Sequence, residues 1–296
     1  MFTTDPVAFG HALRDASPDW GRATMRRALL VDTTGFGISL ESSADNAYMS
    51  QGGIDALTAA AEHAAVVAAL EDVGVPCDVL PGIPGLQDGI WPNNVVATTA
   101  EVAVIGSMRH PVRRQEARRA DLRALVSRGR TLVDLSDGPV VELTGVTVVD
   151  RLRGVAIIGA SSRVDRAGAE AFHAAFGLRA TLFTPLVAGE YHLNVVCASL
   201  AGRGWALHPG SFADVRVVDA LASASPVVVL SDEEKRSWAG NGLAVTESVL
   251  MMSATARLGL QTRRSIENLG FSVRTVAISE IERGGGSLRC LIAELF

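Results

Sequence analysis

Short runs of β-branched and aliphatic residues alternate along this chain with longer stretches whose apolar positions recur every three to four residues. Residues 27–32 read as a buried strand, and the Ala- and Leu-rich run 54–73 reads as a helix closed by Gly74 and Pro76. Residues 77–80 form a strand, followed by a Pro/Gly loop at 81–85. Residues 90–99 and 102–107 predict a hairpin, and 113–127 an arginine-rich helix. Strands are expected at 131–135, 140–149 and 155–159, then a helix over 165–176 ending at Gly177 and a strand at 180–183. The pattern goes on through paired strands at 191–200 and 204–207, a helix at 214–224, and strands at 227–230 and 249–253. A helix at 254–268 and strands at 272–277 and 288–296 complete it. The recurring unit is strand–strand–helix–strand. No Pro/Ser linker divides it, so the expectation is one domain, with residues 1–24 as a peripheral extension. Several weakly similar units of this size suggest a ring-like, pseudo-symmetric array, although periodicity does not fix their number.

Composition narrows the setting. Of 296 residues, 48% are hydrophobic and 20% charged, enough for a large core. A net charge of −5 without a basic block, and only 5% aromatics, argue against a nucleic-acid partner. No apolar run approaches the ~20 residues needed to cross a bilayer, and residues 1–19 lack the apolar core of a signal peptide. Cys77, Cys197 and Cys290 are odd in number and widely spaced, with neither a disulfide framework nor a metal motif. The expectation is a soluble, cytoplasmic protein with no metal or organic cofactor.

Cys290 follows Gly284-Gly285-Gly286-Ser287-Leu288-Arg289 and precedes a hydrophobic tail that would hold it in place. Consecutive glycines permit close ligand approach, so this thiol is a candidate nucleophile; a small buried hydrophobe is the equal alternative. Among six histidines, His192 stands apart, because it lies where the loop Gly189-Glu190-Tyr191 enters an apolar strand. Glu142 interrupts the apolar run 139–146, and a carboxylate there must be paired, hydrogen-bonded or shifted in pKa. Structural roles would also account for either residue. Asp88 and the adjacent Asn93 and Asn94 form a third unusual segment, behind Trp91-Pro92, where ordinary turn chemistry is the competing explanation.

Together these segments resemble the guanidino-group-modifying, or pentein, superfamily, and within it the citrulline-utilisation hydrolases, often described as amidinotransferase-like. The resemblance runs from Phe36-Gly37, Glu41 and Asn46 through Asp88 with Trp91-Pro92-Asn93-Asn94, Met108 and Arg113-Arg114-Gln115-Glu116. It continues with Glu142, Thr144-Gly145, Ser162-Arg163, Tyr191-His192-Leu193-Asn194, Ala239-Gly240-Asn241 and the Cys290 segment. It implies an α/β fold, a five-bladed α/β propeller of ββαβ units with the site in its central channel. By the same resemblance Cys290 would be the nucleophile, His192 the general acid/base, and Glu142 a carboxylate that orients the substrate nitrogens and the histidine. Asp88, Asn94 and Asn194 would line the substrate site, and Arg114 (or Arg113) and Arg163 would hold a substrate carboxylate. Asn94 and Asn194 stand where related arginine deiminases carry aspartates. That exchange moves selection from a cationic guanidinium toward a neutral ureido group. The activity implied is hydrolysis of a ureido or guanidino amino acid, citrulline to ornithine, carbon dioxide and ammonia foremost. Arginine dihydrolysis or deimination, dimethylarginine hydrolysis, amidino transfer and a non-catalytic binding propeller are the alternatives. Many family members are dimers or larger, so a homo-oligomer fits the resemblance. Departures are Asp32-Thr33 in place of the usual Arg-Pro, Trp91 for Phe, and Leu143 for a glycine after Glu142.

Overall fold

The computed structural model describes all of residues 1–296. Five separate small sheets organise it, and each contains the same local order, an antiparallel pair followed by a parallel one. Val96–Thr98 pairs antiparallel with Val102–Ile105, which runs parallel to Thr131–Asp134. Thr147–Asp150, Val155–Ala160 and Ala180–Pro185 repeat this. So do Cys197–Ser199, Trp205–Leu207 and Val227–Val229, and then Leu243–Ala244, Val249–Ser253 and Ser272–Val276. In the last sheet Ala293–Leu295, from the end of the chain, pairs with Arg27–Val31 and so joins its two halves; Arg27–Val31 runs parallel to Cys77–Leu80. Parallel strands need a crossover. The helices Ala56–Asp72 and Arg166–Phe176 are two of these, the first capped by Asp55 accepting from the Thr58 amide, the second stopped by Gly177 at φ +67°. Middle strands such as Val155–Ala160 are aliphatic because both faces are covered.

The strand before each sheet is shorter than the apolar runs predict, and the reason recurs. The runs 90–99, 140–149, 191–200 and 288–296 each divide into a tight helical turn and a three- or four-residue strand. The turns are Pro92–Asn94, Leu143–Val146, Leu193–Val195 and Leu288–Leu291, with a fifth at Ala239–Asn241. Each turn packs on the next, and Leu288–Leu291 packs on both Ala239–Asn241 and Pro92–Asn94. Residues 113–127 likewise divide into two helices, Pro111–Ala117 and Ala120–Val126.

At the N-terminus, Phe2–Thr3 adds a parallel edge strand beside Ala180–Pro185, and the helix Pro6–Asp15 buries Phe9 and Leu13 in one of the hydrophobic clusters. Those side chains are one helical turn apart and face the same way, as an amphipathic helix requires. No helix of the protein is long and apolar enough to cross a membrane.

Candidate active site

Several of the candidate residues lie in these five turns or immediately before them. Glu142 immediately precedes one of them and is completely buried. Its Oε2 accepts from His192 Nε2 at 2.8 Å and from Arg113 and Arg163 at 3.3 Å, while Oε1 accepts the Arg109 amide at 3.1 Å. Burial alone would raise this carboxyl, but the Arg163 and Arg113 guanidinium groups, with His192, hold it well below the usual carboxylate range. An ionised Glu142 fixes the histidine tautomer: Nε2 carries the proton and donates it, leaving Nδ1 as a bare lone pair. Nδ1 is buried and has no protein partner. Burial, with the two arginines adding to it, lowers the His192 pKa to about 4 against the pull of Glu142, so the ring is neutral near pH 7.

Cys290 sits in the last turn, 2% exposed. Its thiol meets Asn194 Oδ1 at 3.7 Å, and Asn241 Nδ2 donates toward Sγ at 3.4 Å. Burial pushes the thiol above its ordinary value, and the Asn241 donor works against that shift. Asn241 also holds the Asn194 carbonyl at 2.7 Å and the Arg289 amide at 2.9 Å, which ties the His192 turn to the cysteine turn. Gly145 has no room for a side chain, because a Cβ would stand 2.6 Å from Asn94 Oδ1 and 2.8 Å from the His192 ring. Leu143, where the resemblance has glycine, adopts φ +22°, a left-handed conformation that costs a non-glycine residue roughly 1–3 kcal/mol.

A narrow cavity with an empty volume of about 260 Å³ reaches Cys290. Asp88, Asn94, Arg113, Arg163, Trp91 and Tyr191 line it, as do Ser42, near the end of the short helix Leu40–Ser43, and Asn46 and Met49 beyond it, which together form the covering segment. Asp88 is 3% exposed, accepts only from Ser42 Oγ at 2.6 Å, and makes no ion pair. The covering segment is fastened at Asp45, whose carboxylate takes Arg163 Nη2 at 2.5 Å, Ser162 Oγ at 2.7 Å and His110 Nε2 at 3.0 Å. It is fastened again at Asn46, which donates to the Gly285 carbonyl at 3.2 Å; Gly285 has φ +80°, and Tyr191 donates to the same carbonyl.

Residues 32–296 match the family model described as N,N dimethylarginine dimethylhydrolase, eukaryotic. The chain belongs to this family. It is thus a member of the guanidino-group-modifying superfamily, whose hydrolases act on carbon–nitrogen bonds of guanidino compounds. No curated protein matches the chain in sequence. Among solved structures it is similar to the N-terminal domain of ArgZ, a cyanobacterial arginine dihydrolase of the ornithine–ammonia cycle, bound to its substrate. That match has 17% identity and a TM-score of 0.78 over 90% of this chain and 97% of the other. The Pseudomonas aeruginosa dimethylarginine hydrolase complexed with citrulline matches at 19% identity and a TM-score of 0.74, over 92% and 99%. AgrE with ornithine and NAD+ matches at 18% and 0.80, where the chain spans 91% of itself but 39% of AgrE.

In this dimethylarginine-hydrolase-family chain, Cys290, His192, Glu142, Asp88, Asn94, Arg163 and Asn194 are gathered around one centre. Arg114 is not among them. It turns outward on its helix, with Nε on the Met108 carbonyl at 3.1 Å, and its buried neighbour Arg113 faces the cavity. Arg113 is itself clamped by Glu116, at 2.9 and 3.1 Å. Burial, with Asp88 and Glu142 nearby, raises Glu116 to about 7 despite that clamp. Arg163 has all three nitrogens engaged, Nε and Nη2 on Asp45, Nη1 on Glu142. Sequence reasoning did not assign roles to Ser42, Asp45, Glu116 or Asn241. Glu116 and Asn241 lie inside motifs that carried the resemblance; Ser42 and Asp45 gave no signal.

Proposed function

We propose that this protein is a cysteine hydrolase that cleaves a C–N bond at the central carbon of a small guanidino compound. The five sheets are read as the blades of a propeller, with the ring of turns as its channel. The observation that carries the reaction is the shared cavity of Asp88 and Cys290. A buried carboxylate without an ion pair is costly, and a guanidinium guest would relieve it with two parallel hydrogen bonds. Asp88 thus favours a cationic substrate over the neutral ureido group expected from Asn94 and Asn194 alone.

In the proposed reaction Cys290 Sγ, deprotonated toward His192 Nδ1, attacks the guanidino carbon. The departing amine takes the proton from His192, leaving a thiouronium-type covalent intermediate. Water, deprotonated by His192, then displaces Sγ, which releases the ureido product and leaves the proton to be returned to the cysteine sulfur. Glu142 holds the ring and offsets the positive charge it acquires. Asn241 donates to the sulfur as it becomes a thiolate. A second reading, hydrolysis of the ureido compound itself, rests on Asn94 and Asn194, which contribute no charge. If both operate in sequence, arginine would yield ornithine.

Purified protein incubated separately with dimethylarginine, arginine and citrulline, with dimethylamine, ammonia, citrulline and ornithine quantified, tests these readings. Guanidino substrates consumed by the wild type and untouched by Cys290→Ala would support the first. Ornithine from citrulline would support the second. Full turnover by Cys290→Ala would refute the assignment of the nucleophile.

A further inference from the structure

A second cavity is lined in part by Asn194, the residue that meets the Cys290 thiol. Its walls include residues of the short strands Thr147–Asp150, Cys197–Ser199, Leu243–Ala244 and Ala293–Leu295. Three charged side chains line it. Arg289 Nη2 lies 2.8 Å from Glu294 Oε2, and Arg151 Nη2 lies 3.8 Å from the same oxygen. Two buried guanidinium groups therefore share one carboxylate oxygen. The rest of the Arg151 surroundings is weak in compensation: the Thr98 carbonyl at 2.6 Å and the rings of Phe296 and Phe176 at 4.1 and 5.0 Å. Burial, with Arg289 adding to it, lowers Arg151 to about 10 even with Glu294 beside it. The remaining titratable group in the lining, Cys197, is pushed up by burial and stays a neutral thiol.

A second observation points the same way. Thr147, 1% exposed, is among the residues that line this cavity, and its buried hydroxyl has no hydrogen-bond partner. An unsatisfied buried hydroxyl is uncommon, and one that can rotate its proton toward a guest is a ready donor. A buried excess of one positive charge is costlier still, because each uncompensated ion forfeits several kcal/mol of hydration.

We propose that this cavity binds a small monovalent inorganic anion of the halide or bicarbonate class, held by Arg151, Arg289 and the Thr147 hydroxyl. One negative charge neutralises the local excess, whereas a dianion would overshoot it beside Glu294. Glu294 is the internal competitor. Asn194 borders both this cavity and the candidate active site, and the anion proposal does not depend on the proposed function.

Crystals soaked in sodium bromide and measured at the bromine absorption edge test the location. Thermal unfolding in bromide against gluconate at constant ionic strength tests binding in solution. A bromide peak between Arg151, Arg289 and Thr147 is expected, with a Tm that rises on bromide titration. Thr147→Val should weaken the apparent Kd about fivefold, as for a lost hydrogen bond of about 1 kcal/mol, and Glu294→Gln should strengthen it. Arg151→Met should abolish the response; Thr147→Val covers the case in which that variant does not fold. Bicarbonate that competes with bromide identifies a site open to both, and failure to compete assigns it to halides. Bromide peaks on the surface but not in the cavity would overturn the proposal. So would a peak at crystal concentration with no response in solution, or identical responses from wild type and Thr147→Val.

Discussion

Replacing Glu142 by glutamine is the sharpest perturbation the site offers, because it keeps the shape and removes one charge. In the native protein His192 Nε2, the Arg113 and Arg163 guanidinium groups and the Arg109 amide all converge on these two oxygens. Glutamine has one accepting oxygen and places an N–H₂ group against donors. Breaking a buried ion pair by removing one partner costs about 3–5 kcal/mol. Arg113 keeps Glu116 and Arg163 keeps Asp45, so the lower half of that range, about 3–4 kcal/mol, is expected. For a chain of this size each kcal/mol lowers Tm by about 2 °C, which gives a fall of about 6–8 °C. The histidine also loses the acceptor that sets its tautomer, and the comparable loss in a serine-protease triad costs about 10⁴ in turnover. Calorimetry and steady-state turnover with the best guanidino substrate provide the two readouts. A Tm within about 1 °C of wild type, together with turnover reduced less than about tenfold, would refute both the electrostatic and the orienting role.

Other expectations follow from the same geometry. Because the folded pKa of His192 is depressed to about 4, the unfolded chain binds the extra proton first. The ring's contribution is therefore complete above the ordinary histidine value, about 6.5, and is lost as pH falls toward 4, by roughly 3 kcal/mol. Tm curves from pH 7 to 4.5 should converge for wild type and His192→Gln, and parallel curves would sink the burial argument. Asp45→Ala removes the fastening of the segment over the cavity, where a charge-assisted hydrogen bond is worth about 1.5–3 kcal/mol. Iodoacetamide should then alkylate Cys290 at least about tenfold faster, and an unchanged rate would show that this segment does not control access. Gly145→Ala drives a methyl group into Asn94 and the His192 ring. Turnover should fall on the order of 10²-fold with little change in the circular dichroism spectrum; retained turnover would mean the ring can move without penalty.

What was legible in the sequence were residues whose chemistry clashes with their surroundings. A carboxylate in the apolar run 139–146, a histidine at the mouth of a strand and a cysteine after three glycines each violate the local pattern, and functional sites are where such violations concentrate. The misreadings share one physical cause. Hydrophobic periodicity reports burial, not backbone direction, so a buried turn leading into a buried strand reads as one long strand. That hid the bends at Pro92–Asn94, Leu143–Val146, Leu193–Val195 and Leu288–Leu291, the places where side chains are aimed inward. Arg113 and Arg114 could not be separated because both fit a polar helix face, and the choice is made by Glu116 and Glu142. Asp45 was silent because its partners are distant: Arg163 lies 118 residues away and His110 65. One signal was available in spacing rather than in similarity. Glu142 and His192 are 50 residues apart, and Asn241 and Cys290 are 49 apart. A chain that returns to a common centre once per unit can leave a single polar residue there each time. Every other position in the unit is then free to diverge under the weak requirement of staying apolar. Function-bearing residues at a constant interval, in units with no detectable repeat, are what selection on one shared centre should leave behind.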